Sequence, residues 1–229
     1  MFSSLRPKRD VRTAIVTAVE QLTPRMTRVT ASAESLVGVD IGPARDIELF
    51  LDDDGRRVKR RYTIRQSRPA TGEIDVDVFL HGHGPGSRWA DGARPGSAME
   101  FVGPRGKLEL RPADWHLFLG DEASLPAVTA LVEALGPEVD TYAFIEVTDR
   151  FDQLPLSART PRWLHRGSRP AGTPDLLERE LDAFTPPEGL GRAYVLTESR
   201  VAARLRKLLP SYGVAADNVF AKGYWNSPS

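Results

Sequence analysis

Arg60-Arg61-Tyr62-Thr63-Ile64-Arg65 sets guanidinium groups beside an aromatic ring at the end of a β-rich run. The two-residue period of a strand puts Arg60 and Tyr62 on one face. A guanidinium grips phosphate oxygens as a fork, and a tyrosine ring stacks on a flat ring system. The pair suits a ligand with phosphate at one end and a planar ring at the other. The same spacing also fits a solvated basic strand with one core tyrosine.

A second group is His81-Gly82-His83-Gly84-Pro85-Gly86-Ser87-Arg88-Trp89-Ala90. Glycines let a backbone approach a pyrophosphate, and the N–H groups at a helix start bind anions. Ser87 is expected to cap a short helix here. Gly82 and Gly84 fit G-x-G-x-x-G, but Ser87 stands at the third glycine position, and no βαβ unit surrounds the motif. His81 and His83 share a face, yet no third metal ligand accompanies them, so no metal site is expected. An ordinary Gly-rich turn explains the segment equally well.

Three further segments carry weaker signals. Gly103-Pro104-Arg105-Gly106 reads as a tight turn. Gly120-Asp121-Glu122-Ala123-Ser124-Leu125-Pro126 joins a buried strand to a helix, where ligands of open α/β sheets bind. It equally reads as a capping loop with Ser124 as N-cap. Gly223-Tyr224-Trp225-Asn226 offers two aromatics, as core anchors or as a lid over a flat cofactor. No G-x-S-x-G elbow, H-E-x-x-H pair or G-x-x-x-x-G-K-[ST] loop is present, and no residue is singled out as a catalytic acid, base or nucleophile.

The elements that must position these groups divide into two kinds. Strands are expected over Val11–Val19, Arg28–Ala31, Ile47–Leu51, Val58–Ile64, Ile74–Val78, Ala98–Val102 and Leu108–Leu110. Asp54-Gly55 marks a hairpin, since both of its turn positions need positive φ. Short strands with Gly and Pro punctuation indicate a closed barrel. After about Pro112 strands alternate with helices: Trp115–Gly120, helix Ser124–Leu135, Tyr142–Val147, a helix opened by Thr173-Pro174, Ala193–Leu196, a helix capped by Ser199, and Val219–Trp225. That alternation indicates a mostly parallel sheet. The stretch from Arg150 to Pro174 reads as loop. The expected organisation is a β-barrel domain over 1–112 and an α/β domain over 113–229.

Composition narrows the chemistry. Lys plus Arg number 31, as do Asp plus Glu, so no general nucleic-acid binder or polybasic membrane binder is expected. The chain has no cysteine, which excludes disulfides, catalytic thiols and Cys-ligated iron–sulfur clusters. Electrons passing through it need an organic cofactor. Met1–Asp10 carries charges with no apolar run behind it, and no signal peptide or spanning helix is legible. The cytoplasm is the expected location, without stable membrane insertion.

The order of these groups decides between the readings. Leu22-Thr23-Pro24-x-Met26, Arg60-x-Tyr62-Thr63-x-Arg65, His81-Gly82 with Gly84-Pro85-x-Ser87-x-Trp89-Ala90, Gly103-Pro104-Arg105-Gly106, Gly120-Asp121-Glu122-x-Ser124-Leu125-Pro126-Ala127 and Gly223-Tyr224-Trp225 follow one another. The chain resembles the siderophore-interacting protein family, FAD-dependent ferric-siderophore reductases with a ferredoxin-reductase-like fold. The resemblance implies a six-stranded antiparallel Greek-key FAD barrel followed by a Rossmann-like parallel-sheet domain that meets NAD(P)H. It implies Arg60 and Arg65 on the FAD diphosphate, Tyr62 on the isoalloxazine ring and Thr63 near its reactive nitrogen. His81, Gly84, Ser87, Trp89 and Ala90 would cradle flavin and pyrophosphate. Asp121, Glu122 and Ser124 would line the nicotinamide side. The substrate is then a ferric siderophore, reduced so that iron leaves as Fe(II), with Lys59, Arg105 and Lys222 as candidate contacts. The chain departs from the family pattern at Asn226, where Arg is common, at Pro95-Gly96-Ser97, and over Tyr194–Ser199. A generic NAD(P)H flavin or quinone reductase and a non-catalytic iron-chelate binding protein are the alternatives.

Overall fold

The computed structural model describes residues 10–227. The charged N-terminal run up to residue 9 lies outside them. Seven strands form an antiparallel sheet: β1 (Arg12–Thr23), β2 (Met26–Ser32), β3 (Asp46–Asp53), β4 (Arg56–Thr63), β5 (Gln66–Arg68), β6 (Glu73–Phe79) and β7 (Ala98–Arg105), in the order β4-β3-β7-β1-β2-β6-β5. The first and last strands of that order are consecutive in sequence. Ile64 N–H donates to Arg45 O at 2.7 Å on the β3 side, and Arg65 N–H donates to Asp75 O at 2.8 Å on the β6 side. β4 and β5 are thus two halves of one strand, bent at Ile64-Arg65 so that it leaves β3 and joins β6. This accounts for seven strands where six were expected, and it curls the sheet around one apolar core including Val29, Ile47, Leu49, Ile74, Val76 and Phe101. The β3–β4 hairpin turns at Asp54 (φ 54°) and Gly55 (φ 78°), as Asp-Gly demands.

Two expectations for this half need correction. No strand forms over Leu108–Leu110. The Arg45 guanidinium takes the carbonyls of Gly106 (2.6 Å) and Leu108 (3.4 Å) in place of a neighbouring strand, and Leu108 is buried against the second half. β6, whose alternation predicts one wet face, is buried on both. Arg28 covers Asp77 through contacts of 2.7 and 2.8 Å, and Arg68 covers Asp75 through 2.9 and 2.6 Å. Such forked pairs let carboxylates sit out of water.

The second half is a parallel sheet of β8 (Trp115–Asp121), β9 (Asp140–Val147), β10 (Thr160–His165), β11 (Gly191–Glu198) and β12 (Val219–Trp225), in the order β10-β9-β8-β11-β12. The chain winds outward from β8 through β10 and then returns to the other side of β8, so the switch point lies between β8 and β11. Helix α2 (Leu125–Leu135) packs Leu125, Val128, Leu131 and Val132 on one face of the sheet, with Ala44 and Leu108 of the barrel side. Helices α3 (Asp175–Asp182) and α4 (Ser199–Leu208) cover the other with Leu176, Leu181, Val201 and Leu205.

β10 falls inside the stretch read as loop. Pro161 and Arg162 mask it, and both are tolerated because β10 is an edge strand that pairs β9 alone. The caps also differ. Glu198, not Ser199, caps α4, accepting from the N–H groups of Arg200 (2.6 Å) and Val201 (3.0 Å). Pro174, not Thr173, occupies the cap position of α3.

Among the contacts that lock the halves together are the ion pairs of Arg25 with Asp149 (3.1 Å) and Asp152 (2.5 Å), of Arg65 with Glu133, and of Lys222 with Asp46 (2.9 Å).

Candidate cofactor and substrate site

The seat begins at the bend of β4. Gly84, at φ 88°, starts α1 (Pro85–Gly92) and is followed by Pro85; no side chain caps this helix. A positive φ is open to glycine at little cost, and proline supplies no N–H where none is needed. Ser87 therefore lies inside the first turn and not at the cap, and its Oγ accepts the His81 N–H at 3.3 Å. That bond closes the Gly-rich loop on itself. The Tyr62 hydroxyl stands over the same turn: a Cβ at Gly86 would meet it at 1.7 Å. Tyr62 and the Ser87 turn thus share one seat. Burial pushes the Tyr62 phenol up to about 12, with Arg60 pulling the other way, so the ring stays neutral. Trp89 lies 6.3 Å from Tyr62 at 36°. Ala90 is buried beneath, and the Arg60 guanidinium is exposed. His81 and His83 meet edge to face at 4.6 Å. Among the described residues no group of three or more His, Cys, Asp or Glu is placed to hold a metal.

Thr63 is buried beside the bend and faces the Tyr224 hydroxyl, which burial holds above the ordinary phenol range. Arg65 points elsewhere. Both of its terminal nitrogens meet the Glu133 carboxylate, at 2.8 and 2.6 Å, so it fastens α2 to the barrel.

A second set occupies the carboxyl ends of β8, β9 and β11. Asp121 is buried. One oxygen accepts from Thr197 Oγ1 and Trp225 Nε1, both at 2.8 Å; the other accepts from the N–H groups of Ala123 (3.1 Å) and Ser124 (3.2 Å). Ser124 Oγ accepts from Asp121 N–H at 3.0 Å, so it braces the loop and does not cap α2 with its side chain. Glu122 accepts from Thr148 N–H (2.8 Å) and meets Arg166 at 2.8 Å. The three residues expected on the nicotinamide side therefore sit at the switch point, but their polar groups are engaged inward. Sequence reasoning missed Glu146 and Arg166, 3.6 Å apart and both buried. The β8–β9 register was the available signal, since it sets Glu146 against Asp121.

Burial, the largest cause, pushes Asp121 up to about 6 and Glu146 up to about 7; Arg166 pulls Glu146 back, while Asp121 and Glu122 push it further. The folded state then binds the Glu146 proton more tightly than the unfolded chain. Stability from this group is lost as pH rises from about 4.5 to about 7. Glu146→Gln should match the parent near pH 4.5 and exceed it by about 2 kcal/mol at pH 8. Urea unfolding at both pH values measures this, and equal differences at the two would refute it.

A third set lies on the outer face of β3. Lys222 meets Asp46 at 2.9 Å, with Arg61 at 3.5 Å and Arg105 at 3.9 Å from the same carboxylate. Glu48 pairs with Arg61 at 3.3 Å and also with Arg105. Arg105 and Lys222 are thus brought together, and Arg61 joins them. Lys59 stands farther along the strand, over the Phe50 ring at 4.8 Å.

Residues 113–228 match the siderophore-interacting protein family. The chain belongs to that family. Residues 41–108 match its siderophore-interacting FAD-binding domain, so the barrel half is an FAD-binding unit. Its seat fits that cofactor, for an uncapped helix start, a glycine with a hydroxyl seated directly on it and a neutral aromatic ring suit a diphosphate joined to a flat ring. The chain is 33% identical over 191 residues to the ferric vibriobactin reductase ViuB of Vibrio cholerae, covering 80% of this chain and 70% of that protein. Among solved structures it is similar to a siderophore utilization protein from T. fusca, 29% identical, with a TM-score of 0.86 over 96% of this chain and 94% of that one. Ferredoxin-NADP+ reductase from Plasmodium falciparum shares the fold at 10% identity, with a TM-score of 0.74 over 94% and 97% of the two chains. This siderophore-interacting protein is therefore ferredoxin-reductase-like in architecture. No helix among the described residues is long and apolar enough to cross a membrane.

Proposed function

We propose that this protein takes electrons from NAD(P)H through FAD to a ferric siderophore, so that iron is released as Fe(II). The observation that carries the reading is the Tyr62 hydroxyl seated on Gly86. It joins the strand-end Arg–Tyr pair and the Gly-rich turn into one cofactor cradle in a chain of this family. When bound, FAD accepts two electrons as a hydride and yields them singly. Arg60 and the amides opening α1 hold the diphosphate, while Tyr62 and Trp89 hold the ring. His81 and Ser87 keep the loop closed around it, and Thr63 offers its hydroxyl at the ring edge. The division of labour falls near residue 112, with the nicotinamide meeting the switch-point crevice above Asp121. Arg105, Lys222 and Lys59 meet the chelate.

The family match and the ferric reductase relative support this reading over a general quinone reductase. Anaerobic titration tests it. Protein loaded with FAD should bleach with NADH or NADPH and recover its colour when a ferric siderophore is added, faster than with a quinone. Bleaching by neither nicotinamide sinks the donor assignment. Binding of chelate without turnover would make the protein a carrier.

A further inference from the structure

Two of the three cations expected to meet the chelate, Arg105 and Lys222, are not free charges, while Lys59 stands over Phe50 outside their cluster. Arg61, Arg105 and Lys222 close around Asp46 and Glu48, so three cations face two carboxylates and one net positive charge remains. Asp46 is buried at the start of β3, directly across from Thr63 in the ladder. Its Oδ1 has no hydrogen-bond partner in spite of the surrounding guanidinium groups. Two nitrogens of Arg105, Nε and Nη2, likewise lack well-aligned hydrogen bonds. A buried carboxylate oxygen without a partner costs stability. One oxygen of Asp46 ties β3 to the last strand through Lys222, and the other is left to act on the cations around it through its charge alone.

We propose that Asp46 and Glu48 set the charge selectivity of the site, favouring ferric chelates of low net charge over trianionic ones. This rests on the reading that Arg105 and Lys222 meet the substrate. Three hydroxamates neutralise Fe(III), whereas three catecholates leave a trianion. In a fully cationic patch the trianion gains from every cation. With two acids among the cations, most of that attraction is cancelled before the ligand arrives, and the neutral chelate loses nothing.

The probes are Ga(III) complexes of a trihydroxamate and of a tris-catecholate, which bind without redox chemistry. Dissociation constants by tryptophan fluorescence or calorimetry, on FAD-loaded protein at low salt, give the preference ratio. Glu48→Gln should shift that ratio towards the trianion by about tenfold, from one charge acting on three at ~8 Å in water. Asp46→Asn with Glu48→Gln should shift it further, and the shift should shrink as salt rises. Glu48→Asp keeps the charge and should leave the ratio unchanged. An unchanged ratio in Glu48→Gln, or an equal shift in Glu48→Asp, overturns the proposal while leaving the reductase reading intact. Failure of the parent protein to bind either complex overturns both.

Discussion

Gly86→Ala is expected to purify without bound FAD, with affinity for added FAD about a hundredfold weaker. The new Cβ would stand 1.7 Å from the Tyr62 hydroxyl and 3.1 Å from the ring carbon that bears it. Tyr62 cannot stay where it is, and α1 cannot retreat, because Ala90 and Ala93 of the same segment are packed in the barrel core. Overpacking of this kind costs about 1–3 kcal/mol, which is roughly ten- to a hundredfold in a binding constant. Here the displaced ring is itself a wall of the seat, so the upper figure is expected. Gly92→Ala in the same helix meets nothing within 4 Å and should bind FAD normally. Tyr62→Phe added to Gly86→Ala removes the nearest atom and should restore part of the affinity. Flavin absorbance per protein and FAD titration measure all three, and a yellow Gly86→Ala protein would sink the shared-seat account.

Asp121→Ala should be the most destabilising substitution at the crevice, by about 3–5 kcal/mol. It strands the Thr197 hydroxyl, the Trp225 indole N–H and two amides opening α2, all of which now share one carboxylate. In a chain of this size that is a fall of about 10 °C or more in Tm. Asp121→Asn keeps one acceptor oxygen and should lose about half as much. Thermal unfolding followed by far-UV circular dichroism separates the three proteins. A Tm for Asp121→Ala within about 2 °C of the parent would mean that the network does not hold the strand ends together.

The sequence made the architecture legible because each half announces its period. The Asp54-Gly55 turn and the alternation of β6 belong to antiparallel strands, while the Leu125–Leu135 face belongs to a helix on a parallel sheet. What escaped was set by partners distant in sequence. β10 is polar and interrupted by Pro161, and only its position at the edge of the sheet makes it a strand. Leu108–Leu110 has strand-like residues, but Arg45 takes the Leu108 carbonyl and the Tyr194 hydroxyl the Glu109 carbonyl. Glu198 outcompeted Ser199 as a cap because its longer side chain reaches two amides, while Ser199 Oγ turns to Trp225 O at 3.1 Å. At the site, Tyr62 and the Gly84–Ser87 turn, read from two separate local motifs, lie against each other. Arg65 could not be told from Arg60 by spacing, since Glu133, which takes it, is 68 residues away. Asp46 was invisible for the same reason, as Lys222 comes from the last strand.

The bent strand leaves one more mark on the molecule. β4 stands at the end of the sheet order, paired to β3 along one side only. A bare strand edge invites a second chain to add to it, which is how native sheets come to aggregate. Five of its eight residues, Arg56, Arg57, Lys59, Arg60 and Arg61, are cationic. Two such edges brought side by side would set like charges against each other, so the positive strand disfavours edge-to-edge pairing of two copies.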